Sequence, residues 1–150
     1  MALMVGEIKG LEATLRRFSK LGEAGQKAAD KVMAQTANEV RNTAIKSINA
    51  HGSKGAVYEK ENPKRTHTAS APHNPPNTDT GRLTGSIKVV RKGRAFIVGT
   101  SLPYGYYLEF GTRKIIERPW LRPAVKLAIK DMPKKLAEAF AKIKNDAGFE

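Results

Sequence analysis

Glu109 has the most suggestive setting of any carboxylate in this chain, lying between Leu108 and Phe110 with Arg113 and Arg118 close behind it. A carboxylate in apolar company with a guanidinium in reach can act as a general base or form half of an ion pair. Catalysis also requires a positioned nucleophile, a partner base or a metal, and the sequence supplies none beside it. An ion pair serving the fold or an interface is the better reading. The three histidines, His51, His67 and His73, are spaced by 16 and 6 residues without a carboxylate pattern, which is poor geometry for a metal. The absence of cysteine excludes disulfides, thiol nucleophiles and Cys-based metal sites, and fits assembly in a reducing cytoplasm. Gly81, Gly85, Gly93 and Gly99 suit turns and strand ends rather than a phosphate-binding loop. The chain reads as a non-enzyme, with no metal and no cofactor.

Glu109 belongs to the stretch around which the chain is organised, Tyr104 to Ala124, which holds the single Trp and three of the four Tyr. Aromatic side chains carry large buried areas and sit where packing or recognition is decided. Tyr104, Tyr107 and Leu108 recur at i, i+3, i+4 and predict a short helix over 104–110, with a strand as the competing reading. Gly111 supplies a left-handed stop. Pro119 cannot donate to a ladder and Pro123 suits a first helical turn, so the next helix starts between them.

The elements that must position this stretch form one domain over 1–150, with 49–80 as an extended arm or loop. Residues 2–8 suit a short strand, and Leu11, Leu15 and Phe18 mark a helix ending near Gly22. Val32, Thr36, Val40, Ala44 and Ile48 step by four and predict a helix from Glu23 to Ile48 with a narrow, Ala-rich stripe. Residues 49–80 are rich in Pro, poor in large apolar side chains, and longer than the structureless loops usual in compact domains. His73, Pro75 and Pro76 lie in a polyproline-like run that suits an arm along a neighbouring subunit. Asp79, through backbone N–H groups, and Gly81, through a positive φ, end the arm in a turn. Leu83 to Val90 and Ala95 to Thr100 read as strands of a hairpin with a basic tip of Arg91, Lys92 and Arg94. Leu121, Val125, Ala128, Met132, Leu136, Ala139 and Ile143 mark a C-terminal helix, interrupted at Pro133, with Asp131 able to cap its second segment. The fold class is α+β: N-terminal helices, a small antiparallel sheet, a C-terminal helix packed on the sheet, and the arm.

The net charge is +13, and residues 81–118 carry 8 basic against 2 acidic side chains. Such an excess around the hairpin suggests a polyanionic neighbour, or plain solubility. No apolar run approaches the ~20 residues of a membrane span, and MALMVGEIKG lacks the basic start and apolar core of a signal peptide. A soluble protein without membrane contact is expected.

Three motifs in order, DTGRLTGSI at Asp79 to Ile87, YLEFGT at Tyr107 to Thr112 and RPWLRPA at Arg118 to Ala124, resemble the tail-completion (neck) proteins of long-tailed bacteriophages. The resemblance implies a structural virion protein that completes the tail and joins it to the head connector. It also implies a ring, hexameric to match the tail. The implied partners are copies of itself, connector or adaptor proteins, tail terminator or tail tube proteins, and genomic DNA in passing. Asp79, Thr80, Gly81 and Leu83 would set the turn into the sheet, and Phe110, Gly111 and Thr112 the end of the central helix. Pro119, Trp120, Leu121 and Pro123 would lock the last helix, with Phe110, Trp120 and Leu121 as core. Tyr104, Tyr107, Glu109 and Arg113 would join the hairpin tip and His73, Pro75 and Pro76 as interface residues. The alternative from another class is a small basic nucleic-acid-binding protein, whose affinity would fall steeply with salt.

Overall fold

The structure, a computed structural model, describes residues 22–146. The strand expected over 2–8 and the helix through Leu11, Leu15 and Phe18 lie outside the described residues. Helix α1 spans Gly22–Asn49. Every member of its predicted stripe is buried, joined by Ala29, Met33 and Ala37. Thr36 is tolerated inside because its hydroxyl donates to the Val32 carbonyl at 2.9 Å, as a buried polar group must.

The last helix, α4 (Arg122–Asp146), is the principal partner of α1. Leu121, Ala124 and Ala128 meet the C-terminal half of α1, whereas Met132 and Leu136 meet Ala29, Val32 and Met33 in its N-terminal half, so the two helices are antiparallel. Small residues along both stripes let the backbones approach, and Lys135 pairs with Glu39 at the edge. The break expected at Pro133 does not occur, and Asp131 caps no second segment: α4 runs through both. A mid-helix proline costs about 3 kcal/mol. Met132 and Leu136 offset that, because each buried side chain returns roughly 1.5–3 kcal/mol only if the two halves stay on one axis against α1.

The chain between these helices is built from two hairpins and two short helices. The arm read over 49–80 contains the first hairpin, β1 (Val57–Glu61) with β2 (Lys64–Thr68), in antiparallel register from Val57 opposite Thr68 to Glu61 opposite Lys64. Every residue of β1 is exposed. The strands escape a hydrophobic reading because no face of β1 is buried, so no alternation is imposed on it. The segment is held by its own chain: the Asn77 amide donates to Ser53 O at 2.8 Å and Thr68 O at 3.0 Å, and Thr78 N donates to Ile48 O. Asp79 does not cap a turn; it takes a two-pronged contact from Arg65 Nε and Nη2 at 2.8 and 2.9 Å.

The segment expected to open as a strand at Leu83 instead forms helix α2 (Arg82–Ser86), and the strand β3 begins at Lys88 and ends at Lys92. Gly81 enters α2 at φ 73°, and the hydroxyls of Thr84 and Ser86 donate back to Gly81 O and Leu83 O. These local bonds give the backbone an alternative to the ladder. β3 pairs with β4 (Ala95–Gly99) from Lys88 opposite Gly99 to Lys92 opposite Ala95. The two-residue connection Gly93-Arg94 has its positive φ at Gly93, the first central position that a type II′ hairpin turn reserves for glycine. Val98 is buried and Phe96 packs against both core clusters, so the hairpin shares the core of the helix pair. Arg41 of α1 donates to Ile87 O at 2.9 Å, which fixes where β3 starts.

The Arg65 contact holds the Asp79 carboxyl below the usual carboxylate range. A group whose pKa is lowered on folding contributes stability that is present above its unfolded pKa and lost as pH falls through the folded one. Amide exchange in β2 should therefore accelerate relative to α1 as pH falls from 6 to 3, after correction for intrinsic rates, and Asp79→Asn should remove that pH dependence.

Candidate functional site

Helix α3 (Pro103–Phe110) carries three of the four tyrosines and Phe110, and it exchanges the places expected for Phe110 and Glu109. Its buried positions are Gly105 and Glu109. Tyr104, Tyr106, Tyr107 and Phe110 face outward at 39%, 51%, 47% and 49% exposure. Phe110, expected in the core, thus lies on the surface. Gly105 explains the exchange, since a Cβ there would stand 2.5 Å from Thr100 Cγ2 and 3.2 Å from Leu83 Cδ1. At Gly105 the helix sits too close to the core for any side chain. The indole Nε1–H of Trp120 donates to the Gly105 carbonyl at 3.0 Å, and Trp120 and Leu121 are buried. Tyr106 packs at 4.8 Å between ring centroids from Phe110 and meets Tyr107 edge-on at 6.2 Å, so three rings form one outward cluster.

Glu109 holds this arrangement. Its Oε2 accepts the backbone N–H of Trp120 and of Leu121, each at 2.8 Å, and its Oε1 accepts that of Arg122 at 2.9 Å. The first N–H groups at a helix start have no intrahelical partner and carry partial positive charge. A carboxylate from another helix here does what a local cap residue ordinarily does. Arg122 completes the pairing: Nε donates to Glu109 Oε1 at 3.0 Å, and Nη2 to the Glu109 carbonyl at 2.8 Å and to Glu117 at 2.5 Å. Its guanidinium also lies 5.2 Å over the Phe110 ring. The partner of Glu109 is thus Arg122, not the nearer Arg113 or Arg118. Glu109 is buried, so it positions the aromatic face instead of touching a partner, which corrects its placement among interface residues.

The loop from Gly111 to Pro119 is folded back on α3. Gly111 takes φ 74°, and a Cβ on it would meet Ile115 O at 2.8 Å, so only glycine suits the turn. Thr112 N donates to Ile115 O, its hydroxyl accepts from Lys114 N and Ile115 N, and Arg118 N returns to Leu108 O. Arg113, Ile115 and Ile116 are left exposed at the tip. Beyond the loop Pro119 is partly buried, and Pro123 lies exposed in the first turn of α4. The 69–80 strap joins the same corner: Arg118 donates twice to Ser70 O, and His73 N donates to Glu117 O. His73 Nδ1 stands 3.5 Å from the Glu117 carboxylate. Pro75 is partly covered and Pro76 is buried, so Pro76 belongs to the chain's own packing and not to a free interface. The hydrogen bond from Arg122, helped by His73, holds the Glu117 carboxyl below its ordinary range, and the same bond raises Arg122.

The basic hairpin tip divides. Arg91 donates to Asp30 at 2.6 Å and lies over Phe96, so it is committed to the fold. Lys92 and Arg94 are exposed and form no ion pair among the described residues. Thr80 is exposed beside Gly81, and Leu83 is buried under α3. Of the other histidines, His67 Nδ1 is 4.0 Å from Asp79 and His51 is an exposed residue with positive φ. Among the described residues no group of three His, Asp or Glu side chains is placed to hold a metal ion, and no helix is long and apolar enough to cross a membrane. Sequence reasoning passed over Arg122, Arg65 and Arg41. Only Arg122 had a usable signal, a cation just before Pro123 at a helix start, where a distant carboxylate must also come.

Residues 12–111 match the family described as "Bacteriophage HK97-gp10, putative tail-component". The matched span covers more than half of the chain and includes α1, both hairpins and α3. The chain belongs to this HK97-gp10-like family, and that membership makes it a tail-related structural component of a bacteriophage. No curated protein and no solved structure matches it.

Replacing Glu109 by Gln keeps the shape but turns one acceptor oxygen into a donor facing N–H groups. Breaking a buried charged pair costs about 3–5 kcal/mol, and less where one partner is half-exposed as Arg122 is. Urea unfolding of Glu109→Gln should show a loss of about 2–4 kcal/mol. A loss under ~0.5 kcal/mol would remove Glu109 as the organising contact.

Proposed function

We propose that this member of the HK97-gp10-like family is a structural subunit of the phage neck, without catalytic activity. In this reading it completes the tail and joins it to the head connector as one copy of a ring. The observation that carries the reading is the outward aromatic cluster of Tyr106, Tyr107 and Phe110, followed by exposed Ile115 and Ile116. Contiguous apolar surface held on a rigid base marks an interaction site. Tyrosine suits such a site because it gives large contact area at small entropy cost and keeps a hydroxyl for the wet rim.

The exposed β1–β2 hairpin supports the same reading. It projects a strand with open backbone groups and the exposed side chains of Val57 and Tyr58, which a neighbouring subunit could cover as it would an arm. Copies of the chain, connector or adaptor proteins and tail terminator or tube proteins are the partners, and the mature virion is the location. Lys92 and Arg94 at the second hairpin's tip suit passing contact with the genome. The net charge of +13 is what favours the alternative of a free nucleic-acid-binding protein.

Native mass spectrometry and light scattering at 50 mM and 1 M salt separate the two. The neck reading predicts oligomers at both, since apolar contacts survive screening. The double variant Tyr107→Ser with Phe110→Ser should run as a monomer, with unfolding free energy changed by less than about 1 kcal/mol. A wild-type monomer whose duplex-DNA affinity collapses with added salt would establish the alternative.

A further inference from the structure

Between the first hairpin, the strap and α3 lies a cleft of about 400 Å³ that the aromatic surface does not use. Two guanidinium groups line it without a carboxylate partner among the described residues. Arg82 makes no ion pair among the described residues, and it lines the cleft together with Tyr104. Arg118 spends two N–H groups on a neutral acceptor, the Ser70 carbonyl. The Ser70 hydroxyl is buried in the cleft wall with no hydrogen-bond partner among the described residues. The remaining cation, Arg65, is already matched by Asp79 at 2.8 Å. Beneath these groups the lining is apolar, from Ile48, Leu83 and Leu108.

We propose that this cleft is a binding site for an acidic peptide segment of a protein partner, with a single carboxylate held between Arg82 and Arg118 and the flanking apolar side chain seated on the partly exposed Leu108. Guanidinium groups bind carboxylates through charge-assisted, geometrically matched hydrogen bonds. A nucleic-acid strand fits less well, because its phosphates gain nothing from the apolar lining. Arg82 makes no hydrogen bond or ion pair within the described fold, so its positive charge there is explained by a ligand better than by stability.

The test is a titration of the ¹⁵N-labelled full chain with N-acetyl-Leu-Glu-Leu-amide and with its Gln counterpart, followed by amide shifts. The Glu peptide should move Ser70, Gly81, Leu83 and Arg118, and the Gln peptide should bind about tenfold more weakly, as loss of a charged hydrogen bond implies. Arg82→Gln should weaken the Glu peptide by a similar factor and leave the thermal midpoint unchanged. Equal shifts from the two peptides, shifts confined to other surfaces, or no shifts at all up to 10 mM peptide (roughly the reach of millimolar contacts) would overturn the proposal. So would displacement of the Glu peptide by a single-stranded oligonucleotide that moves the same residues.

Discussion

One carboxylate joins two helices that the sequence keeps apart. Glu109, at the end of α3, supplies the acceptors for the N–H groups of Trp120 and Leu121, which lead into α4, and of Arg122, which opens it, so the start of α4 is fixed by the end of α3. The charge sits where the helix macrodipole favours it. Arg122 then closes the exposed side of the pairing. A local Ser or Asp cap would have satisfied α4 just as well, but it would not have fixed the angle between the helices. The remote cap does both.

The rest of the site follows from that constraint. Because α3 is pulled onto Trp120 and the core beneath it, its inner line has room for glycine alone at Gly105. The aromatic residues are displaced to the outer face, where Arg122 covers one face of the Phe110 ring. Burying them would return roughly 1.5–3 kcal/mol each, so a chain that leaves several on its surface forgoes stability that a partner could recover. The Tyr and Phe cluster is thereby placed on a rigid platform instead of a mobile loop, which lowers the ordering cost of association.

The long elements were legible because their burial pattern is written in side-chain type. The α1 stripe of Val32, Val40, Ala44 and Ile48, and the α4 face through Ala128, Met132 and Leu136, both emerge from spacing alone. The α+β class and the phage-tail affinity are legible for the same reason: the strong elements and three short motifs stand in order. The shorter elements were not legible, and each has its own cause. The β1–β2 hairpin buries no strand face and so leaves no apolar alternation. α2 turns on hydroxyl-to-carbonyl bonds of Thr84 and Ser86 that periodicity does not register. On α3, Phe110 was assigned to the core by its hydrophobicity and Glu109 to an interface by its charge, whereas glycine and a charged residue are what the interior accepts there. Pro133 was read by its local cost, and the packing of its neighbours on α1 outweighed it.

The account rests on the backbone N–H groups of Trp120, Leu121 and Arg122 being locked by the Glu109 carboxylate, and native-state hydrogen exchange of those three amides measures this directly. They should exchange only through global opening, with the same free energy as core amides of α1 such as Val40 and Ala44. Exchange of the three at the rate of an exposed loop, while α1 stays protected, would show that the two helices are not tied in this way and that the aromatic face has no rigid base.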